Sequence, residues 1–265
     1  AHEFEWGTER YSYLYREFVN DIEFVRFKGF YNGLTLSYTF RPVDIDALAD
    51  IVGSFLRAEL RYATGRVNYT GSGTWNGLKD YVYEVRGLAG RDLYINPLLK
   101  FTPYAGFGYR YLNNGFQAIP ARVIEGLSYY SAYKRESKYL YVPVGVELYQ
   151  ELPRGWGIGG NVEYDFWMAG EQASHFEDMF SDTGIPAGWD AMYNKQKKGF
   201  GRYGSLRIDK AFPKMKLGVE AYYRYWKIED SQPADVTVGG VPITTTLYEP
   251  QNVTQEVGVK VGLTF

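Results

Sequence analysis

Cysteine is absent from the 265 residues, so the chain has no disulfide, no thiolate metal site and no cysteine nucleophile. Histidine is nearly absent. His2 and His175 are the only two, too few for a convincing zinc or iron site, and His175 is the one candidate left for general acid–base work. No cofactor and no metal is therefore expected. Charge of one sign is also missing: 29 Lys and Arg against 31 Asp and Glu leave a net −2. With no clustered basic helix either, nucleic acid is excluded as a partner. Long apolar runs are lacking, because the longest charge-free stretch, Val236 to Tyr248, falls short of the roughly 20 residues a membrane helix needs. A P-loop, a dinucleotide fingerprint and internal repeats of 20 to 50 residues are absent too. No charged-then-apolar leader precedes Ala1, and the expectation is an exported chain whose signal peptide has been removed.

What the chain holds in excess is aromatic: 18% of its residues, with 26 Tyr, 16 Phe and 6 Trp. Its 30 Gly and 11 Pro are spread evenly, which argues against disorder and for a single folded domain over 1–265.

Apolar residues recur with a period of two, the signature of half-buried strands. Val257, Val259, Val261, Leu263 and Phe265 alternate with Glu256, Gly258, Lys260, Gly262 and Thr264. The same grammar runs through Leu217 to Tyr225, Trp156 to Phe166, Leu140 to Leu148 and Phe101 to Tyr109. It returns in Leu34 to Phe40, Leu56 to Tyr62, Tyr83 to Ala89 and Arg202 to Lys210. A tenth strand, about Phe4 to Glu17, is strongly aromatic, but its phase slips and a bulge is expected there.

The polar faces carry Gly, Tyr and both signs of charge, a mixture suited to a narrow lumen rather than to water. Two aromatic girdles are expected. One comprises Tyr11, Tyr13, Tyr15, Tyr109, Tyr111, Tyr222, Tyr223, Tyr225 and Trp226, the other Phe4, Trp6, Phe40, Trp156, Phe212 and Phe265. The connections alternate. Long ones are expected at Val19–Lys28, Thr70–Lys79, Asn113–Ser137, Ala169–Lys198 and Asp230–Asn252, and short ones at Leu152–Arg154 and Ala211–Pro213. Pro42 to Ser54 is the exception, and Asp44 to Ile51 within it could form one helical turn. The fold class that follows is all-β: a transmembrane antiparallel β-barrel of about 10 strands in the bacterial outer membrane, with long extracellular loops, short periplasmic turns and periplasmic termini. Phe265, behind its alternating apolar residues, reads as the signal for the barrel-assembly machinery.

Ten strands leave an interior that side chains nearly fill. The inward charges are Arg57, Glu59, Arg61, Glu84, Arg86, Arg110, Glu147, Glu163, Asp165, Arg207, Glu220, Arg224, Glu256 and Lys260. Their signs nearly cancel, so they are expected to pair into a structural ladder that occludes the pore, with a thin gated solute path as the alternative. Outward cations at headgroup depth, Lys138 and Arg202 with Lys195, Lys197 and Lys198 in the adjoining loop, are candidate contacts for lipopolysaccharide and outer-membrane lipid.

Tyr133-Lys134-Arg135 through Tyr141-Val142-Pro143, then Gly159-Gly160-Asn161 to Trp167, His175-Phe176-Glu177-Asp178 and the closing Gly262 to Phe265, resemble the omptins, ten-stranded outer-membrane surface proteases. The resemblance implies their barrel along most of the chain. It also implies a water held by Asp-x-Asp on the second loop and Asp-x-His on the fourth, pairs that match Asn68 and Thr70, and Ala173 and His175, in this sequence. Only His175 keeps its type, which removes the carboxylates that would orient water. Asp80, Asp178 and Asp182 are the acids a rearranged site would draw on. Three functions follow in order: a non-catalytic surface binding or structural protein with a plugged lumen, a narrow porin-like solute channel, and a divergent surface protease.

Overall fold

A computed structural model describes residues 1–42, 55–124 and 127–265. Ten long strands follow one another: β1 (His2–Val19), β2 (Ile22–Phe40), β3 (Phe55–Thr70), β4 (Thr74–Gly90), β5 (Leu99–Asn114), β6 (Lys134–Leu152), β7 (Trp156–His175), β8 (Gly199–Ala211), β9 (Lys216–Ile228) and β10 (Gln251–Thr264). Each pairs antiparallel with the next, and β10 pairs back onto β1, with Glu9 opposite Lys260. The barrel is closed, so no sheet edge is left to be satisfied in a hydrocarbon solvent. The last residue helps seal it: Phe265 N–H donates to the Phe4 carbonyl at 2.8 Å. Among the described residues, no helix is long and apolar enough to cross a membrane.

The sequence rule of apolar outside and polar inside holds only over the end of the barrel that carries the termini. On β2, Leu34 and Leu36 are exposed while Thr35 and Ser37 turn inward. Toward the other end the sign reverses: Val25, Phe27 and Tyr31 are buried inside, and Arg26 and Lys28 face out. The same inversion runs through β3, where Val67 and Tyr69 are buried and Arg66 and Asn68 exposed, and through β9, where Trp226 and Ile228 are buried on either side of Lys227. A bilayer is spanned by roughly 9–11 strand residues, so strands of 16 to 20 residues such as β1 to β7 project well beyond it. The projecting part meets water outside and must keep its apolar groups within.

This inversion explains three departures from expectation. The phase of β1 does not slip. Glu5, Gly7, Glu9, Tyr11, Tyr13, Tyr15 and Glu17 all turn inward, and the only register shift lies at Glu17/Phe18. The connection expected over Val19–Lys28 is a two-residue turn, Asn20-Asp21, whose φ values of 51° and 61° suit the tight right-twisted hairpin that Asn and Asp tolerate. That expected over Thr70–Lys79 shrinks to Gly71–Gly73. The connections over β5–β6, β7–β8 and β9–β10 are long, as expected, and the last lifts a hairpin of Ala234–Val238 and Val241–Leu247. The helical turn expected at Asp44–Ile51 lies outside the described residues.

The aromatic girdles also need correction. Tyr11, Tyr13, Tyr15, Tyr222 and Trp226 belong to the interior, not to the wall. Outward, Tyr83 stacks on Tyr111 at 4.7 Å and Tyr164 on Phe200 at 5.8 Å, with Phe200 against Tyr225 at 5.9 Å. Near the termini, Phe4, Trp6, Trp156, Phe212 and Phe265 are exposed. Two outer aromatic belts therefore bracket the apolar wall, as membrane interfaces require.

Candidate functional site

The interior has three tiers. The upper tier is an aromatic stopper in which Tyr11 and Tyr13 pack on Tyr31 at 5.1 and 4.6 Å, and Trp226 stands edge-on to Tyr141 at 4.9 Å. Phe27, Tyr69, Leu78, Val82 and Leu112 fill the space between. Glycines make room for the rings: a Cβ on Gly258 would sit 2.6 Å from Tyr11 and 2.7 Å from Tyr222. The periodic Gly–Tyr mixture in the sequence is thus a packing requirement.

Beneath the stopper lies an ion network that crosses the barrel. Arg110, wholly shielded, donates from Nη2 to Glu256 Oε1 at 2.5 Å, and Arg61 bridges Glu256 at 2.8 Å and Glu9 at 2.6 Å. Arg224 and the Tyr141 hydroxyl both donate to Glu84, and the Tyr222 hydroxyl to Glu9 at 2.7 Å. Two arginines face ring planes as well: Arg61 lies 4.7 Å from the Tyr11 centroid and Arg110 5.8 Å from Trp226. Charges stripped of water are costly unless paired, and these are paired on several sides.

Lower still, Arg86 joins Glu59 at 2.6 Å to Glu163 at 2.7 Å, and Arg57 reaches Glu147 at 2.5 Å. Arg207 joins Glu5 and Asp209, both at 2.6 Å, while Lys260 joins Glu220 at 2.8 Å. Asp165 is buried on the same wall and forms no ion pair among the described residues. All the inward charges named from the sequence face the lumen. Sequence reasoning missed Glu5 and Glu9 because β1 was read as out of phase. Their spacing of two from Gly7 and Tyr11 was the available signal.

A further lock sits at the loop end. Arg135, at the start of β6, donates to Glu17 of β1 at 2.6 Å and to Glu249 at the base of the last loop. Burial pushes the Glu249 carboxyl up to about 8 against the pull of Arg135, and the neighbouring Glu17 pushes it the same way. In the loops above, Asp190 accepts from Gly240 N–H at 2.8 Å and from the Thr237 hydroxyl at 2.7 Å, contacts that hold its carboxyl below the usual range.

The positions matched to the omptin pairs do not assemble. Asn68 and Thr70 lie on the outer face of β3 and are exposed, and Asn68 Oδ1 accepts from Gly77 N–H at 3.1 Å. His175 also faces outward, where its ring contacts Glu136 at 3.0 Å and Glu177 at 2.8 Å. Ala173 is buried beside it. Asp80 lies on the opposite side of the wall, buried in the lumen against Asn114 at 3.3 Å, so it does not converge with His175. Asp178 and Asp182 are in the loop after β7, both exposed, and no group of three or more candidate metal ligands occurs among the described residues.

On the outer wall, Lys138 pairs with Glu171 at 3.3 Å and Arg202 lies over Phe200 at 4.9 Å. Above them a groove of about 360 Å³ has a floor of Tyr164, Phe166, Trp167 and Phe200 and carries Lys197, Lys198 and Lys227. Lys195 is exposed on the adjoining short strand Met192–Gln196.

A closed, twice-girdled antiparallel barrel with a polar interior is the fold of bacterial outer-membrane barrels. Among solved structures, the chain is similar to the outer membrane protease OmpT from Escherichia coli, at 12% identity over 100% of this chain and 95% of that one, with a TM-score of 0.60. Matches to the P. putida toluene transporter TodX (10% identity, 99% and 89% covered, TM-score 0.36) and to the translocator domain of the autotransporter NalP from Neisseria meningitidis (9%, 98% and 88%, 0.35) are far looser. At these identities the likeness is one of fold. No protein-family signature and no curated protein matches the chain.

Proposed function

We propose that the chain is a Gram-negative outer-membrane barrel with a stoppered lumen that works through the surface it presents outside the cell, as a non-catalytic binding or structural protein. The observation that carries this reading is the pair of tiers closing the interior: the ring stack around Trp226 and Tyr31, and below it the Arg110–Glu256–Arg61 network, whose Arg110–Glu256 pair is wholly buried. On this reading, small solutes find no open path past both tiers.

The long connections then face outward from the cell, and the termini and short turns lie in the periplasm, the arrangement general to such barrels. Phe265, exposed at the end of the closing strand, suits recognition by the barrel-assembly machinery. The outer-wall cation Arg202, set over the Phe200 ring, and Lys198 and Lys227, lining the groove above it, suit the phosphates of lipopolysaccharide. The outward, carboxylate-engaged His175 and the neutral Asn68 and Thr70 argue against omptin-type hydrolysis. Osmotic swelling of proteoliposomes tests the closed lumen: no faster swelling in arabinose than in protein-free vesicles is expected, and swelling at porin-like rates would overturn it.

A further inference from the structure

Below the ion network the lumen does not stay filled. It opens into a blind cup of about 340 Å³ whose mouth lies at the end carrying the chain termini. That volume is in the range of small-molecule pockets.

Its wall presents both signs of charge to the space within. Glu5, Glu59 and Glu147 are 16%, 23% and 27% exposed, and Arg57, Arg207 and Lys260 14%, 20% and 21%. Each already contacts an opposite charge, so a bare anion or bare cation would have to break a pair and leave one member uncompensated. A solute carrying both charges can insert between partners and leave none unpaired.

Two lining groups break this symmetry among the described residues, the exposed Glu151 and the half-buried Lys216. The Lys216 ammonium lies 5.1 Å from the Tyr149 ring centroid, and among the described residues no carboxylate is within 4.0 Å of it. Tyr149 and Glu147 are two residues apart on the inner face of β6. That step spans about 6.6 Å, close to the ~7 Å reach of a two-residue chain. The Thr35 hydroxyl, also lining the cup, is buried and has no hydrogen-bond partner among the described residues.

We propose that this cup binds a small zwitterion of dipeptide size, its carboxylate on Lys216 and its ammonium toward Glu147. The proposal is independent of what the outer surface binds. Calorimetric titration of the refolded protein in detergent micelles with dialanine tests it, with N-acetylalaninamide and propionate as neutral and singly charged probes. Saturable 1:1 heat is expected with dialanine alone, weakened at least tenfold in Lys216→Gln, a mouth variant whose folding is checked by heat-modifiable gel mobility. Glu147→Gln should weaken it similarly. No heat from dialanine on folded protein would overturn the proposal. So would an equal response to propionate, or unchanged binding in folded Lys216→Gln.

Discussion

Arg110 on β5 and Glu256 on β10 meet across the barrel at 2.5 Å, and neither side chain exposes any surface to solvent. Strands this far apart in the sheet are joined only because the lumen is narrow enough for one guanidinium to span it. The pair therefore measures how completely the interior is closed.

Removing one member leaves a buried charge short of its partner. Glu256→Gln strips both Arg110 and Arg61 and is expected to cost about 3–5 kcal/mol. In urea unfolding followed by tryptophan fluorescence, an Arg110→Met, Glu256→Leu double variant should recover at least half of that loss. A single variant as stable as the parent would show that the network is hydrated.

The stopper has its own test. Trp226 is 1% exposed and touches Tyr139, Tyr141 and Trp167. Trp226→Ala should cost about 3–5 kcal/mol through the cavity it leaves. The same unfolding assay checks it. If stability is unchanged, the rings do not form a packed core.

The fold was legible wherever one solvent rule applied along a strand. In β8, β9 and β10, nearly every outward residue could be read from the alternation of apolar and polar side chains. It was illegible where the surroundings change along a strand. Arg26 and Lys28 looked like loop because they are polar on the face that lower down meets lipid, and Tyr11 to Tyr15 looked like girdle because they are aromatic on the face that lower down is charged. The cross-barrel partners, such as Arg135 with Glu249, were unreadable because period-two patterning fixes a face but not which distant strand faces it.

The last loop should respond to pH. Burial pushes the docked Glu249 carboxyl up to about 8, against about 4.3 in an open chain. The docked state therefore holds the extra proton between those values, and docking weakens as pH rises through that window. Because the chain has no cysteine, Thr245→Cys gives a single spin-label site. Label mobility should rise between pH 6 and pH 9 in the parent and stay flat in Glu249→Gln. Equal pH dependence in both would remove Glu249 as the cause.

Arg202 and Lys227 have no carboxylate within 4.0 Å among the described residues, and Arg202 lies over the Phe200 ring. An Arg202→Ala, Lys227→Ala double variant should lose most of the thermal protection that added lipopolysaccharide confers, read as the midpoint of heat-modifiable gel mobility. Undiminished protection would exclude a phosphate site on this wall.

Fluorogenic dibasic peptides should not be turned over by protein refolded with lipopolysaccharide. His175→Ala should behave as the parent, since His175 faces away from the lumen and from Asp80. Turnover abolished by His175→Ala would reveal a hydrolytic site.

Planar-bilayer recording of the purified protein tests the closed lumen most directly. The stopper and the Arg110–Glu256 network predict a flat baseline with no steady open-channel current. Large, stable conductance steps that diminish in Arg224→Ala or Glu163→Ala would instead place a conducting path through the network.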